Sequence, residues 1–237
     1  MTWSILARDA DGRFGVAIAS RFFAVGALCV HTRAGVGALS TQALMNPLYG
    51  PRGLALLAAG SSAAEVVAAL TAADAGQAQR QLHVLPAQGA AAAHTGSACV
   101  GWCGHQLHAD FSVAGNMLAG PGVLQATAEA FVASADRPLA ERLIAAMLAG
   151  EAAGGDKRGK QSAALVIQGP EDYRELDLRV DDHEEPLLEL QRLYDKSLER
   201  FQPFVACLAR RADPVGELDR SRIDAAVERF HATRRGA

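Results

Sequence analysis

Hydrophobic and polar side chains alternate through the first nine residues, as they do in a β-strand with two different faces. Trp3 and Ile5 fall on one face of this segment, whereas Thr2 and Ser4 fall on the other. An Asp-Gly pair, which is a typical hairpin turn, precedes a second apolar run at residues 14–19. The chain is therefore expected to begin with a buried strand pair.

The rest of the chain alternates between short apolar segments and pairs of helices. Further strands are expected at residues 27–31, 35–41, 81–85, 90–95, 107–113, 163–167 and 173–180. Helices are expected at residues 46–58, 62–70, 123–133, 138–148, 186–204 and 218–230. Because the strands come mostly as hairpins, this order predicts antiparallel sheets covered by helices, which is an α+β fold of four αββα layers.

Composition narrows the class of protein without indicating its function. The 237 residues are 50% hydrophobic and 21% charged, which suits one large or two small globular domains. We predict a main domain at residues 1–183 and a helical extension at residues 184–237. The net charge of -3 gives no support for nucleic acid or an anionic membrane as a partner. Since the sequence shows neither a signal peptide nor a membrane-spanning apolar run, we expect a cytoplasmic protein.

The cysteines point to neither a disulfide framework nor a metal site. In a chain without secretory signals, reduced thiols are expected for all four cysteines. Cys99, Cys103, His105 and His108 lie close together, but their spacing matches neither a paired C-x-x-C site nor a zinc finger. We interpret them as ordinary strand and loop positions, and we expect no metal and no organic cofactor.

Thr2 carries candidate chemistry, because a small second residue normally permits removal of the initiator Met1. A free α-amine has a pKa of roughly 7.7–8.0, so part of it is unprotonated near neutral pH. That amine can accept the proton from Oγ1 of the same residue while the hydroxyl attacks a carbonyl. The alternative interpretation is that threonine is merely an acceptable second residue.

Several segments of the chain are distinctive when taken together. They are MTWSILARD (residues 1–9), ASRFFAVG (19–26), TQA (41–43), NP (46–47), YGPRG (49–53), GNML (115–118), GGD (154–156), QS (161–162) and LRVDDH (178–183). Together they resemble the bacterial family known as domain of unknown function 1028. The resemblance covers nearly all of residues 1–195.

This resemblance implies a relationship to the N-terminal nucleophile (Ntn) hydrolases, whose αββα sandwich agrees with the layer order predicted above. It implies hydrolysis of an amide bond by an N-terminal Thr, Ser or Cys, without naming a substrate. Thr2 matches the nucleophile position after removal of Met1. Asp156 and Ser162 are similar to the Asp and Ser that hold the N-terminal amine in proteasome subunits.

The chain departs from the proteasome pattern in its basic residues. Residues 27–41 contain Arg33 but no lysine, although proteasome-type subunits place a lysine there to lower the pKa of the nucleophile. Arg21 is our candidate for a fixed positive charge near Thr2 or for a bidentate contact with a substrate carboxylate. A solvated or ion-paired arginine is the alternative. Asn116, expected in a turn between a strand and a helix, is a candidate donor to an oxyanion or simply a helix cap.

The resemblance completes the candidate site and leaves two hypotheses for its function. Substrate-binding residues are expected at Ser20, Gln42, Asn46 and Gln161. The first hypothesis is a hydrolase that uses Thr2 to cleave an amide bond in a small molecule or peptide. The second is a non-catalytic scaffold of the same fold that binds a small metabolite or assembles into oligomers, with the C-terminal helices as the subunit interface. Homo-oligomers are expected under either hypothesis.

Overall fold

The computed structural model describes residues 2–235 and contains ten strands in that range. They are β1 (Thr2–Arg8), β2 (Phe14–Ser20), β3 (Val30–Arg33), β4 (Gly37–Ala43), β5 (Arg80–Pro86), β6 (Ala92–Thr95), β7 (Trp102–Leu107), β8 (Phe111–Leu118), β9 (Ser162–Gln168) and β10 (Arg174–Val180). Six of them form one sheet in the order β10-β9-β2-β1-β8-β7, and four form a second sheet in the order β3-β4-β5-β6. Every pairing is antiparallel, as the hairpin pattern predicts.

The residues that the structure describes also contain eight α-helices. They are α1 (Gly26–Cys29), α2 (Tyr49–Ala58), α3 (Ala63–Ala72), α4 (Gly122–Ala133), α5 (Leu139–Ala152), α6 (Pro186–Glu199), α7 (Phe201–Val205) and α8 (Arg220–Arg235). Helices α2 and α3 pack on the four-stranded sheet, whereas α4 and α5 pack on the six-stranded sheet. The inner faces of the two sheets contact each other. The predicted α+β fold of four αββα layers is therefore confirmed.

Two of the predicted strands are wrong. Residues 27–31 begin instead with the short helix α1, which lies against β9 because Gly26 has no Cβ; a Cβ there would lie 2.4 Å from the Cβ of Ala164. Of residues 107–113, residues 108–110 are the turn of a hairpin, closed by a hydrogen bond from the His108 N–H to the Phe111 carbonyl, whereas Leu107 ends β7 and residues 111–113 begin β8. Long-range pairing, which a local pattern does not contain, decides both segments.

The chain forms two compact units, Met1–Leu190 and Gln191–Ala237. The first unit contains both sheets. The second unit contains α7, α8 and most of α6, with Ile223 and Val227 buried on α8 and an ion pair between Arg200 and Asp224. The sequence places the boundary slightly earlier, after residue 183.

The inner faces of the two sheets meet through an apolar region and a polar region. The apolar region includes Leu6, Val16 and Ile18 of the six-stranded sheet, packed with Ala38 and Leu85 of the other. Each of these five side chains is fully buried. This region ties the sheets together by excluding water from both inner faces.

The polar region is a chain of hydrogen bonds between buried side chains. Ser4 donates its proton to Gln42 Oε1 over 2.8 Å, and Ser4 Oγ lies 2.9 Å from His83 Nε2. Because the single hydroxyl proton of Ser4 is used, His83 Nε2 carries a proton and donates it to Ser4. His83 Nδ1 then accepts from Ser112 Oγ over 2.9 Å. The chain thus fixes the neutral Nε2–H tautomer of His83.

His83 is completely buried, and its environment keeps it neutral. Burial, with a smaller effect from nearby His105, lowers the pKa of His83 to about 3. In the unfolded chain a histidine takes up a proton near pH 6.5. The stability that depends on neutral His83 is therefore fully present above about pH 6.5 and is lost as the pH falls from there towards 3.

A second, half-buried hydrogen-bond cluster anchors the connection from β4 to α2. The Asp74 carboxylate accepts from Asn46 Nδ2 (3.0 Å), the Gly76 N–H (2.8 Å), Tyr49 Oη (2.8 Å) and Arg80 Nε (3.1 Å). These hydrogen bonds, with the one from Asn46 the largest contribution, hold the pKa of Asp74 well below its usual range. The cluster needs the ionised carboxylate, because all four groups donate to it.

We predict that His83→Gln flattens the pH dependence of stability. In the wild type the free energy of unfolding should fall between pH 6.5 and 4 by up to about 1.4 kcal/mol per pH unit more than in the variant. Urea denaturation at several pH values measures this. His108→Gln is the matched control, because His108 is exposed, and it should keep the wild-type slope. Equal slopes for wild type and His83→Gln would contradict the assignment.

We predict that Asp74→Asn lowers the free energy of unfolding by about 2 kcal/mol at pH 7, since hydrogen bonds to a charged group are lost. The difference from wild type should shrink as the pH falls below about 4, because the carboxylate then takes up a proton in the unfolded chain while Asp74 stays ionised in the folded protein. Urea denaturation at pH 7 and pH 3 measures both effects. The exposed Asp136→Asn should change stability by less than about 0.5 kcal/mol. A larger difference in unfolding free energy between wild type and Asp74→Asn at pH 3 than at pH 7 would contradict this prediction.

Candidate active site

Thr2 is the first residue of β1 and lies between two neighbouring strands. It is paired with Ser20 at the end of β2 and with Asn116 of β8. Ser20 is paired in turn with Ser162, the first residue of β9. Four polar residues thus form one row across adjacent strands, with Thr2 and Ser20 at its centre.

The Thr2 side chain is buried, with 6% of its surface exposed. Its Oγ1 donates a hydrogen bond of 3.1 Å to Ser20 Oγ, and Ser20 is buried as well. Since Thr2, Ser20 and Ser4 are on the same face, the hydroxyl of Thr2 is directed to the inner side of the six-stranded sheet. The structure therefore places a buried hydroxyl where the sequence predicts a nucleophile.

Asn116 lies within β8, not in the turn that its Gly-Asn sequence predicts. Its Nδ2 donates to Gln81 Oε1 over 3.0 Å and lies 3.4 Å from the Thr2 carbonyl oxygen. Gly115 serves packing rather than a turn, because a Cβ there would come within 2.5 Å of Leu118. The amide nitrogen of Asn116 therefore faces the backbone of the candidate nucleophile.

Two glutamines of the opposite sheet complete this polar region. Gln42 Nε2 donates to Gln81 Oε1 over 2.8 Å, so that oxygen accepts from Gln42 and Asn116 together. Gln81 Nε2 donates to the Gly115 carbonyl over 2.8 Å. Gln42 was expected to contact substrate, but in this structure it links Ser4 to Gln81. Gln81 and His83 are not predicted as site residues from the sequence, although the alternation of polar and apolar residues in β5 indicates a polar inner face.

Asp156 holds the glycine-rich segment at residues 154–160 against the end of β2. Its Oδ2 accepts from the Arg21 N–H over 2.8 Å, and its Oδ1 accepts from the Arg158 N–H over 2.8 Å. Gly154 and Gly159 have φ values of 115° and 109°, which side chains with a Cβ rarely adopt. Asp156 thereby fixes the position of the residue that follows Ser20.

Ser162 holds a different part of the same region. Its Oγ accepts from the Val25 N–H over 3.1 Å and donates to the Phe22 carbonyl. Both partners belong to the connection from β2 to α1. The hydrogen bonds of Ser162 thus order this connection. Ser162 itself is linked to Thr2 through Ser20, its partner in the sheet.

Two cavities lie beside the row. One, of about 240 Å³, is lined by Trp3, Ser20, Asp156 and Lys160 among others. The other, of about 640 Å³, is lined by Arg21, Lys160, Gln161, Asp182, His183 and Glu184. Gln161 Nε2 donates to Asp182 Oδ1 over 3.0 Å. Lys160 lines both cavities, so they adjoin at this residue.

Lys160 is neutralised by two carboxylates. Its Nζ lies 3.0 Å from Glu151 Oε2 and 2.5 Å from Glu185 Oε2. The hydrogen bond with Glu185 is the main reason that the pKa of Lys160 is raised. Lys160 shares a cavity with Ser20, but its ammonium is paired with these carboxylates and makes no hydrogen bond to Thr2.

Asn46 lies apart from the row. Its side chain donates to Asp74 and its Oδ1 accepts from the Leu48 N–H over 3.1 Å. Within residues 2–235, no group of three His, Cys, Asp or Glu side chains is arranged to bind a metal ion. None of the helices in that range is both long enough and apolar enough to cross a membrane.

Comparison with known proteins finds one family and a number of similar solved structures, among them the following two. A protein from Silicibacter pomeroyi, whose crystal structure is assigned to the DUF1028 family, has 33% identity and a TM-score of 0.85, over 92% of this chain and 96% of its own. The Anbu ancestral β-subunit from Yersinia bercovieri has 12% identity and a TM-score of 0.40, over 83% of this chain and 94% of its own. No curated protein matches the chain.

A family model described as a family of unknown function, DUF1028, matches residues 2–190. This range contains both sheets and every residue of the row. The crystal structure from Silicibacter pomeroyi agrees with it in sequence and in fold. The chain therefore belongs to the DUF1028 family.

Proposed function

We propose that the protein is an Ntn hydrolase that cleaves an amide bond, with Thr2 as the nucleophile once Met1 is removed. The observation that carries this proposal is the buried Thr2 hydroxyl, which begins an interior strand and is bonded to Ser20. The αββα layers and the DUF1028 motifs support it. A hydroxyl and an α-amine on one residue need no other base.

The reaction follows from this placement. Thr2 Oγ1 attacks the amide carbon and transfers its proton to the α-amine, directly or through Ser20 Oγ 3.1 Å away. Collapse of the tetrahedral intermediate breaks the C–N bond, and the departing amine takes the proton. The product is an ester of Thr2. Water then attacks this ester, with the α-amine as base, and releases the acid and free Thr2.

Asn116 is the side-chain donor that we assign to the oxyanion. Of its two contacts, the 3.4 Å contact with the Thr2 carbonyl is longer than the 3.0 Å bond to Gln81. An oxyanion therefore replaces the weaker contact, while Gln81 keeps the amide oriented. Removal of one such donor typically costs about 3 kcal/mol of transition-state stabilisation.

Asp156 acts on the nucleophile indirectly in this proposal. It fixes the Arg21 backbone, and through it Ser20, whose hydroxyl accepts from Thr2. Ser162 orders the following connection in the same way. Both are positioning residues, because their hydrogen bonds go to the backbone around the row and not to the hydroxyl of Thr2.

A non-catalytic scaffold that binds a metabolite is the second candidate function. The observation in its favour is that Asp156, Ser162 and Asn116 all contact protein groups, and β3 carries no lysine. The two functions differ in a simple way. A scaffold binds its ligand equally well with or without the Thr2 hydroxyl and releases no product.

We predict that Thr2→Ala lowers the rate of amide hydrolysis by about a thousand-fold or more, because the nucleophile is removed. Thr2→Ser should keep measurable activity. The assay uses a panel of small amides and peptides and follows whichever member the wild type cleaves. Thr71→Ala, on the outer helix α3, is the control and should keep full activity. Full activity in Thr2→Ala would contradict the proposal.

We also predict that the active protein begins at Thr2. Intact-mass spectrometry should show a chain lighter than the translated sequence by one methionine, since only a free amine on Thr2 can act as base. A Thr2→Lys variant, whose bulky second residue blocks removal, should keep Met1. An active wild-type preparation that carries Met1 throughout would refute the mechanism.

A further inference from the structure

Arg21 is exposed and has no carboxylate partner among residues 2–235, unlike two half-buried arginines of the same unit. Its guanidinium Nη1 donates to the Arg158 carbonyl over 3.1 Å, and no ion pair is formed. Arg8, in contrast, is paired with Asp110, and Arg80 with Asp74. A guanidinium has five N–H donors, so most of those on Arg21 are left for another acceptor.

Two hydrogen bonds, one to the backbone and one to the side chain, orient Arg21. Asp156 binds the backbone N–H of Arg21, and the Arg158 carbonyl binds its side chain. Gly159 allows the close approach, because a Cβ there would lie 3.0 Å from Arg21 Nη1. A donor fork that is already oriented loses little conformational entropy when it binds a planar anion.

The cavity beside Arg21 contains a second hydrogen-bond donor and two carboxylates that restrict the charge of a ligand. Arg21 and His183 line the same cavity of about 640 Å³. His183 Nδ1 accepts from the Glu185 N–H over 3.0 Å, so its proton is on Nε2, which can donate. Asp182 and Glu184 also line this cavity, and their negative charges disfavour a ligand with more than one carboxylate.

Arg21 is next to the row in the sequence. Arg21 directly follows Ser20, whose hydroxyl lies 3.1 Å from Thr2 Oγ1. Consecutive Cα atoms are about 3.8 Å apart. The backbone of the residue that binds the anion therefore adjoins the row, so a small molecule can extend from the Arg21 side chain towards Thr2.

We propose that Arg21 binds the carboxylate of the substrate, and that the substrate is a small amide with a single carboxylate. This inference rests on the proposed function for its scissile bond, but the anion site itself does not. Arg21 is then the residue that determines specificity, because a neutral amide of the same shape leaves the guanidinium unpaired. Lys160, already paired with Glu151 and Glu185, does not compete for the anion.

The test compares two probes that differ in one charge, N-acetylglycine and the neutral N-acetylglycinamide. Titrations followed by NMR or calorimetry use the full chain carrying Thr2→Ala, so that no probe is consumed. N-acetylglycine should bind about ten-fold more tightly or better, and Arg21→Gln should abolish the difference. Arg21→Lys should keep a weaker preference for the anion, because it keeps the charge without the fork.

Arg52→Gln is the matched control, since Arg52 is an exposed arginine on α2 and should leave the preference unchanged. Urea denaturation checks that each variant is folded. Equal binding of the two probes, or an undiminished preference in folded Arg21→Gln, would overturn the inference. If Thr2→Ala instead keeps full hydrolase activity while the anion preference is present, the proposed nucleophile is wrong and the carboxylate site stands.

Discussion

The pairing of Thr2 with strands on both sides is the constraint on which the site depends. A residue at the end of a chain is free to fray unless backbone hydrogen bonds hold it. Here β1 is paired with β2 from Thr2 to Arg8 and with β8 from Thr2 to Ala7. The position of the Thr2 hydroxyl is therefore set by the six-stranded sheet, and Ser20 and Asn116 are brought beside it by register alone.

The polar region between the sheets supports this register energetically. A one-residue slip of β1 would place Trp3 against Gln42 and His83 and leave several buried polar groups without partners. The neutral state of His83 belongs to the same arrangement, since a charge at that depth would have no counter-ion. The site and the packing of the two sheets thus depend on the same hydrogen bonds.

The sequence predicts what short-range patterns control. Alternation and the Asp-Gly turn locate β1 and β2, and the helix pairs give the four layers. The predicted position of Asn116 in a turn is wrong. Its Gly-Asn sequence favours a turn locally, but the pairing of Asn116 with Thr2, far away in the sequence, places it within β8. Gln81 was missed for the same reason: its contacts with Gln42 and Asn116 exist only after both sheets have formed.

The central claim, that Thr2 is a nucleophile, is tested most directly by covalent labelling with a β-lactone. Attack by Thr2 Oγ1 opens the strained ring, breaks its acyl C–O bond and leaves the whole lactone attached as an ester. Peptide mass spectrometry should then find the added lactone mass on a single site, at Thr2, in protein that has lost Met1. Labelling at any other residue, or an unlabelled Thr2 in protein that hydrolyses amides, would contradict the account.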